Sequence, residues 1–327
     1  MQETTLSGSY GEMGRQYGEQ LSAVNFSPPP ASDEKLAFMR ASESSVEEHI
    51  PYLLNELRSM ADAGAWNTEL IKAVPLALTI ESGCSVVAVS GERTAHGEPL
   101  FGRNYDFYAS FAPFSELIRT TPENGHRHIG VTDHWTGRHD GVNEAGLAIG
   151  HTFVPNRGEQ PGVMFALAAR AVLDTCETTE EALEFLERIP HARNTNFLVA
   201  DSTGSMAIVE ASPERVEVTR PSNGFAAITN HFLSESMDDL QPNEEIHPNS
   251  EQRLGHLKRL DEEDTLTMEM LQSTLADPDA GACACGSDDD DDPIETLWSW
   301  TAELGTPSVE LAAGRPDIGE FTQVPIQ

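Results

Sequence analysis

The sequence predicts an α+β fold in which helical layers flank an antiparallel sheet. Three observations carry this. Residues 1–83 read as mostly helical, β character begins at Cys84, and helices and strands then arrive in blocks without regular alternation. A parallel sheet needs strand–helix–strand alternation, and the pattern does not supply it.

The elements follow in order. Residues 12–24 form a first helix, and Pro28-Pro29-Pro30 forces a break after it. A second helix is expected over 44–60, where Val46, Ile50, Leu53, Leu54, Leu57 and Met60 fall three or four apart. A third spans 68–78. Residues 84–90 and 99–107 read as two strands of a hairpin, and 116–121, 127–133 and 141–150 continue the β character. Residues 163–173 are apolar on most sides, so a buried helix is expected. The next helix, 178–189, opens with Thr178-x-x-Glu181, the spacing of a capping box. Residues 196–201 and 206–210 flank Ser202-Thr203-Gly204 as a hairpin, followed by short strands at 216–219 and 225–229. Helices over 250–260 and 265–275 precede an acidic run, Asp288 to Asp292. Strands at 296–303 and 309–312 finish the pattern.

Composition narrows the function. The chain has 327 residues, of which 39% are hydrophobic and 7% aromatic, enough for a substantial core. Against 54 Asp and Glu stand 20 Lys and Arg, giving a net charge of −34. Such a chain offers no cationic face to nucleic acid or to anionic membranes. A heavy acidic load with little Lys keeps a protein soluble in concentrated salt, so a halophilic setting is expected. Met1 leads into Gln2-Glu3-Thr4 without a basic or apolar leader. The apolar run 73–80 is short and contains Pro75. Cys84, Cys176, Cys283 and Cys285 are too few for a disulfide framework. A cytoplasmic protein is expected.

By residue type alone, Cys84 opening a strand after Gly83 reads as a buried core thiol. A hairpin return would bring Arg103 and Asp106 back beside it. A guanidinium near a thiol favours the thiolate, and a carboxylate there could hold an amine. Taken alone, Arg103 and Asp106 also fit an ordinary surface pair.

Five stretches then occur in a telling order: Gly83-Cys84, residues 102–107 (GRNYDF), 141–148 (GVNEAGLA), 196–201 (NFLVAD) and 229–232 (TNHF). Together they resemble the N-terminal-nucleophile hydrolases, above all the acyl-CoA:6-aminopenicillanate acyltransferase branch. Penicillin V acylase, bile salt hydrolase and acid ceramidase are more distant relatives. Gly8-Ser9-Tyr10-x-x-x-Gly14-x-x-Tyr17-Gly18 resembles the opening helix of that branch, and Ser250-x-x-Arg253-x-x-His256-Leu257 its late helix.

The resemblance implies a four-layer αββα sandwich and a precursor that cuts itself between Gly83 and Cys84. Residues 1–83 would become the small chain and 84–327 the large one. The mature protein would be a heterodimer of its own fragments, with further homo-oligomerisation left open. The freed α-amine of Cys84 would act as general base, because it titrates near neutrality. The thiol would carry the acyl group of a small linear amide as a thioester, resolved by water or by an amine. Asp106 matches the Asp that orients this amine and thiol. Arg103 matches an Arg that stabilises the thiolate and binds substrate. Asn230 matches the oxyanion donor, and a backbone N–H near Thr152 would be the second. Asn143, His151 and His231 are candidate pocket walls. The chain departs from the family where another Arg is usual: Asp291, Asp292, Pro293 and Ile294 stand there. Cys283-Ala284-Cys285-Gly286 also replaces a usual Cys-Arg-His.

No cofactor or metal is expected. Cys283-x-Cys285 is shorter than a usual zinc knuckle and has no Cys or His partner nearby in sequence. Asp288 to Asp292 lacks the spaced ligands and Gly of a calcium loop. His126, His128, His134, His139 and His151 are spread over several strands and fit hydrogen-bonded roles. The competing reading is an uncleaved, non-catalytic binder of an acyl or amine ligand on the same fold.

Overall fold

A computed structural model of the chain describes residues 1–77, 83–133, 135–242, 249–286, 290–306 and 308–326. Strand β1 (Gln2–Gly8) is followed by helices α1 (Tyr10–Ala23), α2 (Asp33–His49), α3 (Pro51–Ala63) and α4 (Thr68–Leu76). Then come β2 (Gly83–Val89), β3 (Leu100–Tyr108), β4 (Glu116–Pro122), β5 (His128–Thr132), β6 (Asp140–Asn143) and β7 (Ala148–Phe153). Helices α5 (Phe165–Thr175) and α6 (Thr179–Arg188) precede β8 (Thr195–Ala200), β9 (Met206–Ala211), β10 (Val216–Thr219) and β11 (Phe225–Ile228). Helices α7 (Ser250–Leu257) and α8 (Met268–Leu275) lead to β12 (Ile294–Glu303), β13 (Ser308–Ala312) and β14 (Thr322–Pro325).

Among the described residues the strands form two sheets, ordered β1-β4-β5-β6-β7-β8-β9-β10 and β11-β2-β3-β12-β13-β14. Every pairing is antiparallel except β1 with β4. The sheets face each other across one core cluster that includes Val86, Phe101, Val142, Leu198 and Trp300. Helices α1 to α6 cover the outer face of the larger sheet through a second cluster. Helices α7 and α8 cover the smaller one through a third, with Leu254, Leu257, Leu271 and Leu275 against Val87 and Val89. This is the expected αββα order. Strand β2 is buried along its whole length because it has a layer on each side. Each such buried Val or Leu contributes about 1.5–3 kcal/mol over an exposed one.

The N-terminal segment is woven into this frame. Helix α1 begins with a complete capping box, Ser9 with Glu12. It lies so close to α3 that a Cβ on Gly14 would collide with the Glu56 carbonyl, and one on Gly18 with that of Met60.

The structure corrects four sequence expectations. Residues 2–8 are a strand, not part of a helical block: only Thr4 and Leu6 turn inward, a period of two hidden in a polar stretch. The helix expected over 44–60 is two helices, since Pro51 takes the first position of α3 and cannot continue the hydrogen bonding of α2. Strand β14 lies beyond the last expected strand. At α6, Thr178 caps the Glu181 N–H, but the Glu181 carboxylate accepts from Glu177 N, so the box is half formed.

Candidate active site

The β2–β3 hairpin sets Gly83 opposite Asp106, Cys84 opposite Tyr105 and Val86 opposite Arg103. Alternation then puts Cys84, Tyr105 and Arg103 on the face between the sheets, with Arg103 diagonal to the thiol. Cys84 is completely buried.

Arg103 is fully enclosed and held on three sides. Its Nε lies 2.7 Å from Asp140 Oδ2. Nη1 donates to the carbonyls of His139 at 3.1 Å and His151 at 2.6 Å. Trp298 Nε1 anchors Asp140 in turn, at 3.0 Å. The remaining Nη2 points at Cys84 Sγ, 3.4 Å away. A cation fixed beside a buried thiol favours its ionised form.

Asn230 arrives from β11, which pairs with β2 through Ile228 and Val86. Its Oδ1 accepts from the backbone N–H of Cys84 at 2.8 Å, and its Nδ2 donates to the Phe153 carbonyl at 2.9 Å. Arg253, on α7, reaches the same point from the other side of β2. Its Nη2 donates to Asn230 Oδ1 at 2.7 Å, its Nη1 to the Cys84 carbonyl and to Ser85 Oγ, and its Nε to Asn249 Oδ1.

Asp106 lies on the outer face of β3 and accepts from Thr296 Oγ1 at 2.6 Å. Burial pushes its pKa up to about 6, against the pull of Arg253, the Thr296 hydroxyl and Arg103. Burial likewise pushes Arg253 down, opposed by Asp106 and Cys84. A thiol, a guanidinium at its sulfur, an amide on its own nitrogen and a buried carboxyl form a set competent for acyl transfer to sulfur.

Of the remaining candidates, Thr152 donates through its hydroxyl to the Thr229 carbonyl at 2.6 Å, one residue from Asn230. His231 Nδ1 lies 2.7 Å from Ser250 Oγ, which accepts from Asn230 N. His151 Nε2 meets His139 Nδ1 at 3.0 Å, and His139 Nε2 meets Asp133 Oδ1 at 2.5 Å. Asp133 also accepts from Tyr105 and lines a cavity of about 270 Å³ with Tyr17, Leu21, Phe26 and Trp135. Asn143 is not brought to Cys84. Its amide closes the β6–β7 turn through Ala145 N and Leu147 N and donates to Leu173 and Cys176. His134, Asp288 and Asp289 lie outside the described residues. Among those described, Cys283, Cys285 and Asp317 are gathered closely enough to share a metal ion.

Sequence reasoning missed Arg253, Thr296 and Asp140 as parts of this site. Arg253 stood inside the late-helix motif, and Asp140 directly before the 141–148 stretch. Only the packing of α7 and β6 shows where their side chains go.

The family model described as acyl-coenzyme A:6-aminopenicillanic acid acyl-transferase matches residues 93–317, beginning after Cys84. No curated protein sequence matches the chain. Among solved structures, a mutant conjugated bile acid hydrolase from Clostridium perfringens is similar at a TM-score of 0.55 and 14% identity, over 74% of this chain and 92% of that one. The Caenorhabditis elegans ortholog of N-acylethanolamine-hydrolyzing acid amidase is similar at 0.51 and 13%, over 68% of this chain and 94% of that one. At such identities the likeness shows the fold. The family match covers more than half the sequence, and the chain belongs to the acyl-coenzyme A:6-aminopenicillanic acid acyl-transferase family.

Proposed function

We propose that this chain is a self-processing cysteine enzyme with Cys84 as its nucleophile. Sγ attacks the Gly83 carbonyl, the C–N bond breaks, and the thiol proton passes to the departing nitrogen. Water then hydrolyses the thioester, leaving a Gly83 carboxylate, a restored thiol and a free α-amine on Cys84. Residues 1–83 become the small chain and 84–327 the large one. The β1–β4 pairing and the buried Glu56–Arg170 ion pair both cross from one fragment to the other and are suited to keep them together after cleavage.

In the mature enzyme the α-amine takes the thiol proton, Sγ attacks the substrate amide, and the amine component leaves with that proton. The acyl group rests on Cys84 as a thioester until water or an acceptor amine removes it. Arg103 stabilises the thiolate. Asn230 holds the Cys84 nitrogen and supplies Nδ2 to the oxyanion, with a backbone N–H near Thr152 as second donor. Asp106 orients the amine. Arg253, braced on Asn230 and the Cys84 carbonyl, gives the site a second guanidinium although Asp291 and Asp292 stand where relatives carry Arg.

The observation that carries this reading is Arg103 Nη2 at 3.4 Å from a buried Sγ whose own backbone nitrogen is held by Asn230. Intact mass spectrometry tests it. The wild type should give two fragments with Cys84 at the new N-terminus, and Cys84→Ala a single chain. Thiol labelling separates the binder reading: Cys84 should react far faster than Cys176, Cys283 or Cys285 at neutral pH. An uncut wild type with equal labelling of all four sinks the mechanism. Product analysis with and without an added amine then divides hydrolysis from acyl transfer.

A further inference from the structure

The segment 283–286 is stapled to the fold behind Asp106. Cys283 N donates to the Asp277 carbonyl at 3.1 Å, and Cys285 bridges to Glu295 of β12. This curls the chain so that both sulfurs point the same way, 3.9 Å apart. Asp317, 32 residues after Cys285, closes over them. Its Oδ1 lies 3.3 Å from Cys283 Sγ and its Oδ2 3.7 Å from Cys285 Sγ.

These separations have a chemical meaning. Around a tetrahedral zinc-type centre with metal–sulfur bonds of about 2.3 Å, two sulfurs sit about 3.8 Å apart, and a sulfur and a carboxylate oxygen about 3.5 Å apart. The three donors therefore already outline one face of such a tetrahedron. Two sulfurs select borderline and soft cations over magnesium or calcium. Two thiolates and one carboxylate exceed a divalent charge by one, and Arg315 supplies the balance. Its Nη2 lies 2.7 Å from Asp317 Oδ2, its Nε 3.1 Å from Oδ1, and its Nη1 donates to the Cys285 carbonyl at 2.9 Å. A carboxylate oxygen has two lone pairs, so Asp317 can hold Arg315 and a metal together. Ligating carboxylates are ordinarily fixed by such a partner.

We propose that Cys283, Cys285 and Asp317 bind one zinc-class divalent cation, with Arg315 as the charge-balancing partner. Binding releases both thiol protons to solvent and forms two metal–sulfur bonds. Asp317 is already ionised: hydrogen bonding from Arg315 holds it down to about 2. Burial pushes the Cys283 and Cys285 thiols up. The fourth corner is left to water, since Cys285 and Asp317 are only half-buried. The cation would clamp the segment whose Ala284 N–H holds Thr296 Oγ1 at 2.9 Å, the hydroxyl that donates to Asp106. The site thus stiffens the support of Asp106 without touching substrate.

The test uses the reduced, metal-stripped full chain and Co2+ as probe. One Co2+ per chain should bind with thiolate-to-cobalt charge-transfer absorption and tetrahedral visible bands, both bleached by one equivalent of Zn2+. Cys285→Ser should roughly halve the charge-transfer intensity, and Asp317→Asn should weaken binding at least about tenfold. Cys84→Ala should leave the spectrum unchanged, which separates this site from the proposed nucleophile. No charge-transfer band in reduced wild type overturns the proposal. So does an equal band in folded Cys285→Ser, or a free-thiol count showing Cys283 joined to Cys285 that, once reduced, binds no cobalt.

Discussion

Two clusters of buried charge lie on opposite faces of the eight-stranded sheet, and they are built to different ends. Beneath the helices, Arg170 Nε bonds both oxygens of Asp174 at 3.0 and 2.9 Å, and its Nη2 lies 3.2 Å from Glu56 Oε2. Asp174 also meets His128 Nε2 at 2.9 Å, and Arg138 donates to Thr120 Oγ1 at 2.9 Å. Two cations and two carboxylates cancel within this group. Between the sheets, Arg103 is also paired with a carboxylate, but one of its nitrogens is left for Cys84 Sγ. Arg253 likewise converges on Cys84 and Asn230. Burial and shifted ionisation occur in both clusters, so neither marks a site. Convergence of donors on one buried thiol does.

Substitution should split the two clusters cleanly. Cys84→Ala should abolish fragment formation and lower amide turnover by about 10^4-fold or more, while the uncut chain stays folded, with a urea midpoint no lower than that of the wild type. Arg170→Met should do the reverse. It strands Glu56 and Asp174 and should cost about 3–5 kcal/mol of stability by denaturant titration, while the folded fraction still labels at Cys84. If Arg170→Met lost Cys84 reactivity at full stability, the helical cluster would belong to the site and the contrast would fail.

Asn230→Ala is a finer cut. With one oxyanion donor gone, kcat should fall about 10²–10³-fold with a smaller change in KM. A rise in KM alone would assign Asn230 to substrate binding.

What the sequence could reveal follows the same divide. The β2–β3 hairpin was legible because two β-rich runs flank a short loop, and its register makes neighbours of Cys84, Arg103 and Asp106. Asn230 was legible as part of a short motif. Side chains that cross between layers were not. Arg253 reaches Cys84 from α7, and Asp317 reaches Cys283 across 34 residues; neither contact leaves a local pattern. Strand β1 was hidden because an edge strand with only Thr4 and Leu6 inward carries too little apolar alternation to read. Pro51 was visible, but the apolar spacing running through it suggested one continuous helix.

The smallest and most diagnostic effect is on pH dependence, because the clusters should respond with opposite sign over one window. Asp106 has a folded pKa of about 6, raised by burial from an ordinary value near 4. The native state therefore holds a proton that the unfolded chain has released, and this contribution, present below about pH 4, is lost as pH rises to 6. His128 has a folded pKa of about 4, lowered by burial against the pull of Asp174. The unfolded chain takes up that proton first, so its contribution is present above about pH 6.5 and is lost as pH falls to 4. Each shift is worth about 3 kcal/mol at full extent, so the two largely offset each other in the wild type. Asp106→Asn should unmask the histidine limb, with stability rising from pH 4 to 7 more steeply than in wild type. His128→Asn should unmask the opposite slope. Urea midpoints at four pH values would decide it, and parallel curves for wild type and both variants would show that neither buried group titrates as its surroundings demand.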